Sequence, residues 1–141
     1  MKIFITLFFI TIFTSSVYAD YTIQNAYNLT NFESINAADG SKIISFTGNE
    51  LSKDSRGNLS KGKCIVSIKN KILLVNCEST DQDGDIVYST LYRDTNKGKV
   101  GTRTVTGGTG KYLNSNDVCS YEADMLDLKL GIALLSGECK E

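Results

Sequence analysis

Apolar and polar residues alternate with period two along most of this chain, the spacing that buries one face of a β-strand and leaves the other in water. Tyr21, Ile23, Tyr27 and Leu29 alternate with Thr22, Gln24, Ala26 and Asn28, which predicts a first strand. Residues 41–48 (SKIISFTG) predict a second. Residues 49–62 are polar, carry Lys53, Asp54, Arg56 and Gly57, and read as a long loop or lid. Residues 63–69 and 72–78 predict a hairpin, and residues 85–93 and 99–106 a further pair joined by 94–98. In that pair Ile86, Tyr88, Thr90 and Tyr92 face one way, and Val87, Ser89 and Leu91 the other. Leu126, Leu128, Leu130, Ile132 and Leu134 fall at strict period two, which favours strand. Ala133 and Leu135 also admit a buried helix over 125–135, whereas Gly131 favours a hairpin turning within 127–131. Seven or eight short strands without a βαβ pattern predict an all-β domain, an antiparallel barrel or a sandwich.

One segment breaks the alternation. Lys2 is followed by a run of eleven apolar or near-apolar residues over 3–13 and by small residues ending Val17-Tyr18-Ala19, the layout of a secretory signal peptide. The run is shorter than the roughly 20 residues that cross a bilayer, and no second such run follows. The expected organisation is a signal peptide over 1–19 and a single domain over 20–141, exported to a periplasmic or extracellular space, with no membrane span once the signal is removed.

Export makes disulfides the default state for Cys64, Cys77, Cys119 and Cys139. Cys64 and Cys77 are placed symmetrically about Asn70-Lys71. A two-residue turn there sets Lys69 opposite Ile72, Ile68 opposite Leu73, Val66 opposite Val75, and Cys64 opposite Cys77. Counting outward puts the cysteines on a non-hydrogen-bonded pair, with Cα atoms about 4.5 Å apart, close enough for a disulfide. Cys119 and Cys139 then pair by elimination. No C-x-x-C is present to support a redox reading.

Composition removes whole classes of function. Four of the six Phe lie in the signal segment, so the mature core must come from Ile, Leu and Val with Tyr at its margins. Without Lys2 there remain 14 basic and 16 acidic side chains, with no basic run, which argues against nucleic-acid binding. The chain has no His, which excludes Ser-His-Asp and Cys-His nucleophiles and the usual imidazole metal sites. No metal or cofactor is implied, and no catalytic residue stands out.

Two motifs have simple local explanations. Asp81-Gln82-Asp83-Gly84-Asp85 resembles the start of a calcium loop, but Gly is fourth and the twelfth position is Tyr92, so it reads as a turn capped by Asp side chains with Gly84 at positive φ. Gly107-Gly108-Thr109-Gly110-Lys111-Tyr112 lacks the spacing and the Ser/Thr of a phosphate loop and reads as a tight glycine corner. Asn28-Leu29-Thr30 and Asn58-Leu59-Ser60 fit the N-glycosylation pattern, which has meaning only in a eukaryotic secretory route.

Taken in order, Cys77, the 80–85 segment TDQDGD, Gly101-Thr102 and the 106–112 segment TGGTGKY resemble the pattern of a group of small exported bacterial proteins. That group is similar in turn to the allene oxide cyclase and dirigent barrels. The resemblance implies a single antiparallel barrel of about eight strands, here stapled by disulfides. It also implies that Asp81, Asp83, Gly84, Asp85, Gly107, Gly108 and Gly110 are structural turn positions. Beyond Tyr112 the chain departs from the pattern, with Leu113 to Cys119 where relatives continue in Gly-rich repeats.

The function expected is non-enzymatic binding of a small molecule or a protein partner. The alternatives are a cyclase- or dirigent-like enzyme that shapes a reactive intermediate in its cavity, and a structural envelope protein. A binder or enzyme requires a cavity with converging polar groups, for which Tyr88, Tyr92, Arg93 and Arg103 are the candidates. Thr90, Thr102 and Thr104 would line such a cavity if their faces turned inward. Arg103 sits mid-strand among threonines, where alternation favours an outward-facing charge.

Overall fold

The computed structural model describes residues 21–141, so the signal-peptide expectation for 1–19 lies outside the described residues. Eight strands follow one another as hairpins: β1 (Tyr21–Asn36), β2 (Lys42–Asp54), β3 (Leu59–Lys69), β4 (Ile72–Asp81), β5 (Ile86–Asp94), β6 (Val100–Gly108), β7 (Val118–Asp127) and β8 (Ile132–Lys140). Each pairs antiparallel with the next, and β8 returns to β1, closing the barrel. Closure leaves no free strand edge. An eight-stranded barrel is just wide enough for its inward side chains to fill it, or nearly so.

The β3–β4 hairpin has the register expected, with Lys69 opposite Ile72, Val66 opposite Val75 and Cys64 opposite Cys77. Asn70 and Lys71 take φ of 50° and 65°, the two left-handed residues of a type I′ turn. Disulfides join Cys64 to Cys77 and Cys119 to Cys139, across Cα separations of 4.1 and 3.9 Å. The 125–135 segment is a strand hairpin, with β7 ending at Asp127 and β8 starting at Ile132. Gly84 has φ +90°, as its turn requires.

The 49–62 segment is not a loop. β2 continues to Asp54 and β3 begins at Leu59, leaving only a short turn over 55–58. The hydrophobic pattern fails there because Glu50, Ser52 and Asp54 are polar residues that point inward, at 4, 6 and 9% exposure. Tyrosine is likewise not confined to the margins: Tyr27 and Tyr121 belong to the main apolar cluster. β1 runs to Asn36, and a bulge after Thr30, with Asn31 at φ 56°, re-aims the chain so that Phe32 packs on Phe46 at 5.0 Å.

Turns alternate between the two ends of the barrel. Segments 36–42, 69–72, 94–100 and 127–132 lie at one, here the mouth end. Segments 54–59, 81–86 and 108–118 lie at the other with the C-terminus, here the closed end.

Candidate functional site

Inward residues stack in unlike layers. The half of the barrel toward the mouth holds the apolar cluster that includes Leu29, Phe46, Val66, Val75, Leu91 and Ala133. A cavity of about 60 Å³ remains among these side chains, reaching Leu73 and Leu126 toward the mouth, with Tyr27 and Leu135 lower on its wall. Among the described residues it is lined by hydrocarbon side chains apart from Cys64, Tyr27, Tyr121 and a single charged side chain, Arg93.

Below it lies a polar floor. Glu50 is 4% exposed and accepts hydrogen bonds from the amide of Asn25, from the Tyr27 hydroxyl at 2.8 Å and from Ser79 Oγ at 2.6 Å. All three donors are neutral, so the carboxylate is held by dipoles and not by an ion pair. Burial, reinforced by the charge of Glu50, raises the Tyr27 phenol well above its ordinary range. Arg103 is buried and donates from Nε to Ser89 Oγ at 3.2 Å. Glu50 also lies within 4.8 Å of the Cys64 and Cys77 sulfurs, but these are bonded to each other and offer no thiolate to a metal.

The four sequence candidates divide by strand parity. Arg93 and Arg103 point into the barrel, at 8 and 6% exposure. Tyr88 and Tyr92 lie on the outer face of β5, at 42 and 48% exposure, and do not reach the cavity. Thr90, Thr102 and Thr104 share that outward orientation on β5 and β6. The outward position expected for Arg103 is also corrected: Gly101, Arg103 and Val105 form the inward set of β6, and the threonines form its wet face. Sequence reasoning missed Asn25, Glu50 and Ser79. Their one signal was parity, since Glu50 stands four residues beyond the inward Phe46 on an unbroken strand.

The motif residues build the closed end. Asp81 Oδ1 accepts the backbone N–H groups of Asp83 and Asp85, both at 2.9 Å. Lys111 Nζ lies 2.7 Å from Asp81, 3.0 Å from Asp83 and 3.1 Å from Asn58 Oδ1, where a bound cation would sit in the calcium-loop reading. One ammonium thus ties three turns together. Gly110 packs on Asp85 so closely that a Cβ would meet its carboxylate at 2.0 Å, at a φ of +51° that also favours glycine.

This latch has a pH window. Burial pushes the Asp81 carboxyl up, but the ion pair with Lys111 and the hydrogen bonds from the Asp85 and Asp83 N–H groups outweigh it and hold the carboxyl below its ordinary value. Its contribution to stability is therefore complete above the unfolded value of about 4 and is lost as pH falls through the folded one. Asp81 and then Asp83 raise the Lys111 ammonium, whose contribution is complete below about 10.4 and is lost as pH rises through the folded value. Lys111→Met is expected to cost about 1–2 kcal/mol near neutral pH, a figure kept low because the lysine is partly exposed and water screens it. Thermal midpoints should show the gap from wild type narrowing as the pH drops below about 4. A gap that persists at acid pH would exclude the ion pair as its cause.

No family model and no curated protein sequence matches this chain. Solved structures do match. The pterocarpan synthase dirigent protein GePTS1 superposes with a TM-score of 0.58 at 10% identity, over 87% of this chain and 88% of its own. The pterocarpan synthase dirigent protein PsPTS1 superposes with a TM-score of 0.59 at 10% identity, over 85% and 92%. The fold is that of the dirigent barrels. At this identity the likeness speaks for architecture alone, and the contents of this dirigent-like barrel must be read from its own side chains.

Proposed function

We propose that this dirigent-like barrel is a non-enzymatic binding module that takes a small, mainly apolar ligand into its central cavity outside the cytoplasm. The observation that carries the reading is the cavity of about 60 Å³ in the mouth half of the barrel, walled by carbon and based on a hydrogen-bonded polar floor. Typical ligand pockets measure roughly 300–1,000 Å³. Only a small ligand, or one end of a larger one, therefore enters without movement of the walls. Two disulfides and the signal-like pattern over 1–19 support an exported location.

Native mass spectrometry of the protein from an oxidising compartment, repeated after denaturation, tests this together with saturation-transfer NMR against benzyl alcohol. A co-purifying mass lost on denaturation, or probe binding abolished by Ala133→Leu, is the expected result. Ala133 is 6% exposed on the cavity wall, so leucine there fills the space, at a cost of about 1–3 kcal/mol for the methylenes it adds. A bare mass with no probe bound to wild type would overturn the reading in favour of a structural or partner-binding role.

A second reading, an enzyme that steers a reactive intermediate by cavity shape, draws on the synthase role named for the two structural neighbours and on the Tyr27–Glu50 pair at the cavity base. It requires turnover that Tyr27→Phe lowers without lowering ligand affinity. Binding without turnover of any cavity ligand leaves the first reading in place.

A further inference from the structure

Arg93 is the one charged group on the cavity wall, 8% exposed, and its Nε is buried without a hydrogen-bond partner. No described carboxylate forms an ion pair with it, and no described side chain hydrogen-bonds to its guanidinium. Glu50, the one acid of the polar floor, is already engaged by Asn25, Tyr27 and Ser79. An arginine cannot shed its proton to escape such a position. Tyr121 stands beside it, 3% exposed on the same wall, and no described side chain hydrogen-bonds to its hydroxyl. Gly101 makes this arrangement possible, because a Cβ there would meet the Tyr121 ring at 2.4 Å. The result is a guanidinium fork and a phenol with no acceptor between them, next to an empty apolar space.

Charge along the barrel points the same way. The mouth-end segments carry Lys42, Lys69, Lys71, Lys97, Lys99 and Lys129 against Asp39, Asp94 and Asp127. The closed end reverses the balance, with Arg56, Lys111 and Lys140 against Asp54, Asp81, Asp83, Asp85, Asp117 and Glu141. A small anion is therefore drawn toward the mouth and away from the closed end.

We propose that Arg93 and Tyr121 form the head-group seat for a small organic monocarboxylate whose apolar body occupies the cavity. The planar two-oxygen head matches the guanidinium fork, and its single charge matches the single cation. A phosphate head would bring more charge than one arginine balances. The inference rests on the cavity reading above and narrows it.

Two probe pairs test both together: benzoate against benzyl alcohol, and hexanoate against 1-hexanol, titrated by NMR into wild type, Arg93→Met and Arg93→Lys. Wild type is expected to bind each carboxylate at least tenfold more tightly than its alcohol. Arg93→Met should bring the acid-to-alcohol affinity ratio to about one, and Arg93→Lys should keep only part of the preference. Equal affinity for acid and alcohol in wild type, or an undiminished preference in Arg93→Met, would overturn the seat and leave the cavity reading standing. Failure of wild type to bind any of the four would overturn both. If Arg93→Met does not fold, the wild-type ratio and the lysine variant still decide the matter.

Discussion

Glu50→Leu should destabilise the barrel by about 3 kcal/mol, whereas Glu50→Gln should cost about 1. Two effects oppose each other at this position. Removing a buried carboxylate relieves its desolvation, and replacement of buried charges by apolar residues is often neutral or better. The leucine, however, strands the Asn25 amide, the Tyr27 hydroxyl and the Ser79 hydroxyl in a closed interior, at about 1–3 kcal/mol for each donor left unpaired. Asn25 loses less than a full bond, because its amide also donates to the Tyr27 hydroxyl at 3.1 Å. The loss of acceptors wins, by less than the sum of three separate penalties. Glutamine keeps the shape and one carbonyl acceptor, and Ser79 can turn its hydroxyl to accept from the new amide. Urea unfolding with an unchanged slope measures both variants. A leucine variant as stable as wild type would mean that the buried charge costs as much as its three bonds return.

Removal of the Cys64–Cys77 bridge by paired alanines should cost about 3 kcal/mol from the freedom restored to the unfolded chain, with a further loss from the space left in the core. Cys64 is fully buried and Cys77 is 5% exposed, so neither alanine fills the volume of the bridge. The Cys119–Cys139 bridge closes a loop of similar length, with a separation of 20 residues against 13. Loss of both would remove about 6 kcal/mol, close to the whole stability of many domains of this size. Protein unfolded and reduced should therefore fail to regain its strand circular dichroism until an oxidant is supplied. Full refolding of the reduced chain would show that packing and barrel closure alone hold the fold.

Much of this architecture was legible in local pattern. Period-two alternation marked the strands, and the symmetry of Cys64 and Cys77 about Asn70-Lys71 set one hairpin to the residue, because a one-residue slip would turn every side chain of the pair to the wrong face. Where alternation ran through polar residues it was silent. Residues 50–54 read as loop because an inward Glu50, Ser52 and Asp54 look, one at a time, like solvated positions.

The candidate site shows the same boundary. On β5 both faces carry apolar residues, so alternation separates Tyr88 and Tyr92 from Leu91 and Arg93 without telling which set is inside. The neighbouring strand decides it: Cys77 pairs with Ser89 and Val75 with Leu91, and residues paired across a sheet share a face. The buried disulfide thus turns Ser89, Leu91 and Arg93 inward and leaves the tyrosines in water. The sequence by itself determined most of the strands and turns, the staples and the absence of imidazole chemistry, since these follow from each residue's own burial preference and from spacing along the chain. Barrel closure, the inward polar layer, the Arg93–Tyr121 pair and the lysine that ties three turns were decided only by tertiary structure. Each depends on residues far apart in the chain, and the free energy of a buried polar group is set by the partners it meets there.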